Sequence, residues 1–259
     1  MTPNAVGVAG GLPGATVRFL RFEEADAIGG PDGARLVGTL ADIAGPRTAG
    51  AINSSKIEFD LRTVEYHNWQ GGGGFGDPLD RDPAKVRDDV RLGLVSAEQA
   101  EKTYGVVLGD GVDASATTAL RAELRRGRLA RAHPFTEAYP LPEDSGVGEP
   151  ASGLEAVGYW DILAIDHAAD SISCVGCGHR LTRATADVRT GCVVEEIPAW
   201  KAGPIHGSDY VEASTVPIAV RMFYCPGCGR QLEADLVVPG GIGPASVVTR
   251  GGATGAPSS

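Results

Sequence analysis

The sequence predicts an α+β protein, in which a small β-rich N-terminal unit with two or three short helices precedes a second, β-rich domain. Three observations predict this class: short alternating apolar segments in both halves, helix-capping residues after a glycine run, and two matched cysteine pairs near the C-terminus. We place the first unit at residues 1–131, a linker at 132–153, the cysteine-containing domain at 154–249 and a disordered tail at 250–259.

The first unit is predicted to begin with strands and to continue with helices. The strand segments, in which apolar residues alternate with polar ones, are 16–21, 34–39 and 55–64. Asp82 followed by Pro83 predicts a helix start, because aspartate caps free backbone N–H groups and proline fits the first helical position. Ser96 and Gln99 match a capping box for a second helix, and a third is predicted at residues 114–126.

Strands are also predicted around both cysteine pairs of the second domain. Residues 159–165 lead into the first pair, residues 216–223 lead into the second, and residues 232–238 follow it. Between the two units, residues 132–153 contain four prolines and no periodic apolar pattern, which is typical of a linker.

Cys174, Cys177, Cys225 and Cys228 form two identical Cys-x-x-Cys-Gly motifs. Each motif directs two thiolates at one ion, and this spacing is typical of a zinc ribbon with a tetrahedral four-cysteine site. Four thiolates leave no open coordination position, so we expect a structural zinc ion and no catalytic residue. Iron accepts the same ligands and geometry, and zinc is the more common occupant.

Other interpretations of the cysteines are less favoured. Two disulfides need an oxidising compartment, and residues 1–14 lack the basic and apolar regions of a signal peptide, so we expect reduced cysteines and a cytoplasmic protein. Redox catalysis by Cys-x-x-Cys needs only one pair. The fifth cysteine, Cys192, has no partner in the pattern and is expected to be a small buried residue.

The net charge of −10 argues against nucleic acid as a partner, because phosphate binding depends on clustered basic residues. One basic cluster occurs on the third predicted helix, and we expect it to be a solvated face or a protein contact; it comprises Arg121, Arg125, Arg126, Arg128 and Arg131. No apolar segment approaches the roughly 20 residues that cross a bilayer, so no membrane association is expected.

The glycine run of residues 71–76 could suggest a phosphate-binding loop. The lysine of such loops is missing, however, and Asp77 would repel a phosphate. We therefore expect glycines that allow close backbone packing or positive φ angles. Asp77, Arg81 and Asp82 are expected to cap helices and to fix the turn.

Residues 70–108, QGGGGFGDPLDRDPAKVRDDVRLGLVSAEQAEKTYGVVL, closely resemble the C-terminal end of the hydantoinase B family. This family includes the B-type subunits of N-methylhydantoinases and 5-oxoprolinases and the α subunits of acetone and acetophenone carboxylases. The resemblance covers about residues 10–129. It implies that the several hundred residues in which the family places its metal-containing catalytic centre are not in this chain, so the chain alone is expected to lack the active site.

The second domain is similar to the small zinc-binding γ subunits of acetone carboxylase and its acetophenone-carboxylase relatives. The similar parts are Tyr-Trp-Asp-Ile-Leu, Cys-x-x-Cys-Gly-His and, after a long gap, Tyr-Cys-Pro-x-Cys-Gly-x-x-Leu. Together the two resemblances imply a zinc-binding, non-catalytic small subunit of a multi-subunit, ATP-dependent carboxylase that acts with bicarbonate on a ketone or related carbonyl compound. ATP, bicarbonate and a divalent metal would bind to hydantoinase A-type and B-type large subunits in a hetero-oligomeric complex.

Two other functions remain open. One is the same structural role in an ATP-dependent amidohydrolase of the hydantoinase or oxoprolinase type, and the other is a stand-alone ribbon that binds a protein or nucleic acid. Among the histidines, His67 is expected to be packed or at the surface, and His179 to lie outside the ligand set. The loop Lys201–Tyr210, which includes His206 and Asp209, is expected to contact the large subunits.

Overall fold

The structure is a computed structural model that describes residues 7–14, 18–23, 43, 45–49, 63–68, 71–136, 157–159, 161–199 and 218–238. The chain divides into two compact units, of which one comprises Ala15–Gly71 and the other comprises Met1–Gly14 with Gly72–Ser259. Both contain antiparallel sheets, and the larger unit also contains three α-helices in its described part. The predicted α+β class is confirmed.

The smaller unit contains an antiparallel sheet in the order β2-β1-β3. Its strands are β1 (Arg18–Phe22), β2 (Arg47–Ala49) and β3 (Val64–Asn68). Leu20 and Phe22 are buried, and Ile43, Val64 and Tyr66 pack against them. β1 confirms the strand predicted at 16–21, whereas the segment 34–39 and most of 55–64 lie outside the described residues.

The larger unit contains the predicted helices α1 (Pro83–Arg91), α2 (Ala97–Lys102) and α3 (Ala114–Arg131). The Asp82 carboxylate accepts a hydrogen bond from the backbone N–H of Ala84, and Ser96 and Gln99 form the capping box, so both predicted helix starts are confirmed. The buried side chains Val86, Ala100 and Val106 form the apolar core beneath these helices.

Helix α3 is five residues longer than the predicted span of 114–126, because it continues through Gly127 to Arg131. Glycine weakens a helix by only about 1 kcal/mol relative to alanine. The extra turn places Arg128 beside Asp77 and Arg131 beside Glu195, and these ion pairs offset that cost. Tertiary contacts, which local sequence does not reveal, therefore set the end of this helix.

Two four-stranded antiparallel sheets complete the larger unit, in the orders β5-β6-β7-β8 and β11-β10-β9-β4. The first contains β5 (Val157–Tyr159), β6 (Leu163–Asp166), β7 (Ser171–Cys174) and β8 (Arg180–Thr182). The second contains β4 (His133–Pro134), β9 (Val193–Pro198), β10 (Ala219–Tyr224) and β11 (Gln231–Val237). One apolar core, which includes Leu163, Ile172 and Phe223, joins residues of both sheets.

The strands predicted before and after the second cysteine pair are confirmed by β10 and β11. The single strand predicted at 159–165 is wrong, because the chain turns there and forms β5 and β6 instead. Asp161 lies in this turn with a φ of 56°, a left-handed conformation that a continuous strand does not contain.

The linker predicted at 132–153 begins with β4, which pairs with β9. Residues 137–153 of that linker and the predicted tail at 250–259 lie outside the described residues. The predicted domain boundaries stay a prediction, although the helices and both cysteine-bearing sheets belong to one compact unit.

The glycine run packs against a second glycine segment near the N-terminus. The backbone N–H of Val8 donates to the carbonyl oxygen of Gly74 over 2.8 Å, and the N–H of Gly74 donates to the carbonyl oxygen of Leu12 over 2.9 Å. A Cβ atom on Gly11 would lie 1.9 Å from the Gly74 oxygen, and Gly76 has a φ of 76°. The predicted use of glycine for close backbone packing and positive φ is confirmed.

Candidate metal centre

The structure brings together all four cysteines of the two matched motifs. The Sγ atoms of Cys174, Cys177, Cys225 and Cys228 lie within 4.8 Å of one another. The distance from Cys174 to Cys228 is 3.9 Å, and the distance from Cys177 to Cys225 is 3.6 Å. Thiolates bound to Zn²⁺ at roughly 2.3 Å in a tetrahedron are roughly 3.8 Å apart, so this cluster fits such an ion.

The backbone repeats the same turn in both motifs, which we call the first knuckle (residues 174–179) and the second knuckle (residues 225–230). In the first, the N–H of Cys174 donates to the carbonyl oxygen of His179, and the N–H of Gly178 donates to that of Cys174. In the second knuckle, the N–H of Cys225 donates to the carbonyl oxygen of Arg230, and the N–H of Gly229 donates to the carbonyl oxygen of Cys225.

The glycine after each cysteine pair completes these turns. Gly178 has a φ of 72° and Gly229 a φ of 71°, a left-handed conformation that glycine adopts without steric cost. The first knuckle connects β7 to β8, and the second connects β10 to β11. Two hairpins from different sheets therefore present two sulfurs each to one point.

The cluster lies at the edge of the larger unit's core. Cys174 and Cys225 are fully buried and pack in the main apolar cluster, whereas Cys228 is half-buried and Cys177 is exposed. An ion at this position would link two hairpins on one side and face the surface on the other. Its contribution would be to join β7–β8 to β10–β11.

Thiol ionisation within the cluster is uneven. A hydrogen bond from the Cys225 thiol, with help from backbone N–H groups of the first knuckle, lowers the pKa of Cys174 to about 5. The same hydrogen bond and burial raise the pKa of Cys225, and burial raises the pKa of Cys228 to about 11. Hydrogen bonds from neighbouring groups therefore stabilise one thiolate, that of Cys174, whereas ionisation of the other thiols requires the charge of a nearby cation.

Cys192 lies apart from the cluster and has the buried position that the sequence predicts. Its side chain is 4% exposed, and its thiol donates to the carbonyl oxygen of Val188 over 3.3 Å. Burial raises its pKa, so the thiol stays protonated and unreactive at neutral pH.

Asp77 is the main link between the helical part of the unit and the second knuckle, a role that goes beyond the helix cap predicted from the sequence. Its buried carboxylate accepts the N–H of Leu79 at 3.0 Å, as predicted for a cap. It also accepts the N–H of Gln231, which directly follows the second knuckle, at 3.0 Å. Arg128 donates to both of its carboxylate oxygens, at 2.8 and 3.0 Å.

A second ionic group connects the same parts of the molecule. Asp80 pairs with Arg125 on α3 and with Arg230 in the second knuckle, where its carboxylate lies 2.6 Å from Nε of Arg230. The Arg230 guanidinium also lies 3.4 Å from the carbonyl oxygen of Asp161. The charged residues of the glycine turn therefore reach directly to the metal-binding turn.

The arginine cluster on α3 is used for contacts within the chain. Besides Arg125 and Arg128, Arg121 donates to the carbonyl oxygens of Tyr104 at 3.1 Å and of Arg81 at 2.6 Å. Arg131 donates to Glu195 on β9 at 2.6 Å, and this hydrogen bond raises the pKa of the Arg131 guanidinium. The prediction left a solvated face or a protein contact open; four of the five arginines instead make contacts within the chain.

The remaining polar residues have simple structural positions. His67 is exposed and lies 2.7 Å from the Glu65 carboxylate in the smaller unit. His179 is exposed, and among the described residues the metal-ligand group does not include it. Arg81 pairs with Asp89 at 2.6 Å. The loop Lys201–Tyr210, with His206 and Asp209, lies outside the described residues.

Within the described part of the chain, no helix combines the length and the apolar character that a membrane span requires. No family model matches the sequence. The sequence is nevertheless similar to individual subunits of three enzymes.

The acetone carboxylase alpha subunit of Xanthobacter autotrophicus is 40% identical over 107 residues, which cover 38% of this chain and 13% of that subunit. The caprolactamase subunit beta of Pseudomonas jessenii is 57% identical over 54 residues, which cover 20% of this chain and 9% of that subunit. Two subunits of the acetophenone carboxylase of Aromatoleum aromaticum also match. The delta subunit is 35% identical over 94 residues, which cover 32% of this chain and 14% of that subunit.

The acetophenone carboxylase beta subunit is 31% identical over 88 residues, which cover 33% of this chain and 68% of that subunit. The chain therefore spans only about a tenth to a seventh of three of these relatives, but two thirds of the fourth. These matches confirm the resemblance to acetone and acetophenone carboxylase subunits, and the chain belongs to the family of the acetophenone carboxylase beta subunit.

Proposed function

We propose that this protein is a zinc-binding, non-catalytic small subunit of a multi-subunit, ATP-dependent carboxylase, which adds bicarbonate-derived carbon to a ketone or related carbonyl compound. The observation that carries the proposal is that one chain matches two different subunits, delta and beta, of the same acetophenone carboxylase. A match to the acetone carboxylase alpha subunit points to the same class of enzyme.

The ion proposed for the cluster is structural Zn²⁺ bound to Cys174, Cys177, Cys225 and Cys228. Four sulfurs at mutual distances of up to 4.8 Å fill a tetrahedral shell and leave no position for a substrate or a reactive water. The role of the ion is then to join two hairpins that belong to different sheets.

The proposed active site lies in partner subunits. The chain spans only 13% of the acetone carboxylase alpha subunit and 14% of the acetophenone carboxylase delta subunit. Hydantoinase A-type and B-type large subunits would supply the rest, including the binding sites for ATP, bicarbonate and a divalent metal. This chain would complete a B-type subunit that lacks the matching segment.

Two surfaces are proposed to contact these large subunits. One is the loop Lys201–Tyr210, as the sequence suggests. The other contains Val8 and Phe75, which form a β-bridge with each other beside the glycine run and are 49% and 67% exposed. Exposed large apolar side chains that adjoin one another are typical of protein interfaces.

The test is purification of the tagged chain from its native cells under gentle conditions, followed by mass spectrometry. We expect A-type and B-type large subunits in a fixed ratio. The complex should then hydrolyse ATP in the presence of a ketone and incorporate labelled bicarbonate into an acid product. Recovery of the chain without such subunits would contradict the proposal and would favour an independent binding module.

A second candidate is the same structural role in an ATP-dependent amidohydrolase. The 57% identity to the caprolactamase subunit beta over 54 residues specifically favours it. In this case the purified complex would hydrolyse ATP with a cyclic amide as substrate and would do so without bicarbonate. Parallel assays with ketones and cyclic amides, each with and without bicarbonate, separate the two candidates.

A further inference from the structure

The larger unit contains an extensive contact between two parts of the chain. The helical part comprises residues 7–14 and 71–136, and the ribbon part comprises residues 157–199 and 218–238. We propose that this contact is a subunit-type interface within one chain, which keeps the two parts together without a covalent connection. The inference deepens the proposed function, on which it rests, because this one chain matches two separate subunits of one enzyme.

The centre of the interface is the buried ion pair between Asp77 and Arg128, both of the helical part. The Asp77 side chain is fully buried, and that of Arg128 is 11% exposed. Each of them also binds the ribbon part, since Asp77 accepts the N–H of Gln231 and Arg128 donates to the carbonyl oxygen of Gly229 at 3.1 Å. The Arg128 guanidinium also lies 5.2 Å from the ring centre of Tyr224.

Charge complementarity extends across the rest of the contact. Asp80 of the helical part pairs with Arg230 of the ribbon part at 2.6 Å. Arg131 of the helical part pairs with Glu195 of the ribbon part, also at 2.6 Å, and the Tyr224 hydroxyl donates to the same carboxylate at 3.1 Å. Buried and half-buried pairs with several hydrogen bonds are the arrangement that gives an interface its specificity.

Backbone packing is equally close. A Cβ atom on Gly229 would lie 2.7 Å from the carbonyl oxygen of Arg125, and one on Gly10 would lie 2.1 Å from that of Gln231. β4 of the helical part adds a strand to β9 of the ribbon part. An interface that combines strand addition, buried ion pairs and direct backbone contact has the features of a stable association.

The connection between the two parts, residues 137–156, lies outside the described residues. Gly229, Arg230 and Gln231 directly follow Cys228, so the metal site and the interface share one turn. It follows that an intact metal site should favour association of the two parts.

The test uses the folded full-length chain with a site-specific protease sequence placed at residues 144–150. After complete cleavage in a zinc-containing buffer, we expect the halves to co-elute as one species in size-exclusion chromatography over a dilution series. Elution as two separate species at micromolar concentration would overturn the inference. That outcome would leave the subunit assignment intact, because the assignment is tested by co-purification with large subunits.

Variants of the cleavable chain identify the interface. Asp77→Asn should weaken association of the halves by roughly a hundredfold, because it leaves the buried Arg128 without its charge partner. If that variant fails to fold, Asp80→Asn, at a half-exposed position, should still weaken association by roughly fivefold. The matched control is Asp89→Asn, which breaks a surface pair with Arg81 in the helical part alone and should leave association unchanged. Equal association of all three variants would refute the proposed interface.

Discussion

Substitution of Cys174 by serine tests the metal centre most directly. Cys174 is fully buried in the core cluster with Leu163, Ile172 and Phe223, and its sulfur lies 3.9 Å from that of Cys228. A serine hydroxyl is a poor ligand for Zn²⁺ beside three thiolates, so we expect the variant to lose the ion.

The expected magnitude is large. Structural zinc sites bind with about 10–16 kcal/mol of apparent free energy at neutral pH, and this energy contributes directly to folding. A typical domain has a net stability of only about 5–15 kcal/mol. Loss of most of the binding energy should therefore unfold the two sheets that the knuckles connect, and not merely lower the melting temperature.

The assay is metal analysis of the purified full-length chain together with circular dichroism and a thermal melt. We expect one zinc ion per wild-type chain and much less in Cys174→Ser, with loss of β-sheet signal. Cys192→Ser is the matched control, because Cys192 is also buried but its thiol only donates to Val188. It should keep one ion per chain. Full metal occupancy and an unchanged melt in Cys174→Ser would refute the reasoning.

Three further predictions concern packing, assembly and pH. Gly11→Ala should lower the free energy of unfolding by about 1–3 kcal/mol, because its Cβ would lie 1.9 Å from the Gly74 carbonyl oxygen. Gly109→Ala is the control, since a Cβ there would have no atom within 4 Å, and urea titrations measure the free energy of unfolding of both variants. Phe75→Ser should leave the melt unchanged and reduce co-purification of large subunits, and equal recovery would exclude this surface. Burial raises the pKa of Asp235 even though Arg189 lies 3.3 Å from its carboxylate, so ionisation of this group costs folding free energy and its contribution to stability increases as pH falls through that pKa. Asp235→Asn should melt higher than wild type at pH 7, with the difference shrinking towards pH 4, and a lower melt at pH 7 would contradict this sign.

Local signals predicted much of the secondary structure. Asp82 with Pro83, and Ser96 with Gln99, define helix starts through contacts within three residues, so their patterns are legible without tertiary information. The metal centre could equally be predicted from the sequence, because each knuckle is a local turn that its cysteines and glycine specify. Only the meeting of the two knuckles depends on the fold, and the matched motifs indicate it.

Features that depend on distant partners were not predictable in the same way. Helix α3 passes through Gly127 because Arg128 and Arg131 find carboxylates far along the chain, at Asp77 and Glu195. The break between β5 and β6 depends on Asp161, whose left-handed conformation has no strong sequence signal. The end of α3 is decided by interactions over sequence distances that no local pattern spans, whereas the β5–β6 turn is local but lacks a recognisable turn sequence.

The contacts of Asp77 also change how the glycine segment is understood. The sequence relates GDPL to a turn and a helix cap, and both roles are present. The same carboxylate, however, binds the strand that leaves the metal site and the arginine that contacts Gly229. A single buried charge thus satisfies groups from the segment that resembles hydantoinase B and from the ribbon. Since an unpaired buried charge is costly, each part is completed by the other, which explains why a chain that carries both would keep them in contact within one compact unit.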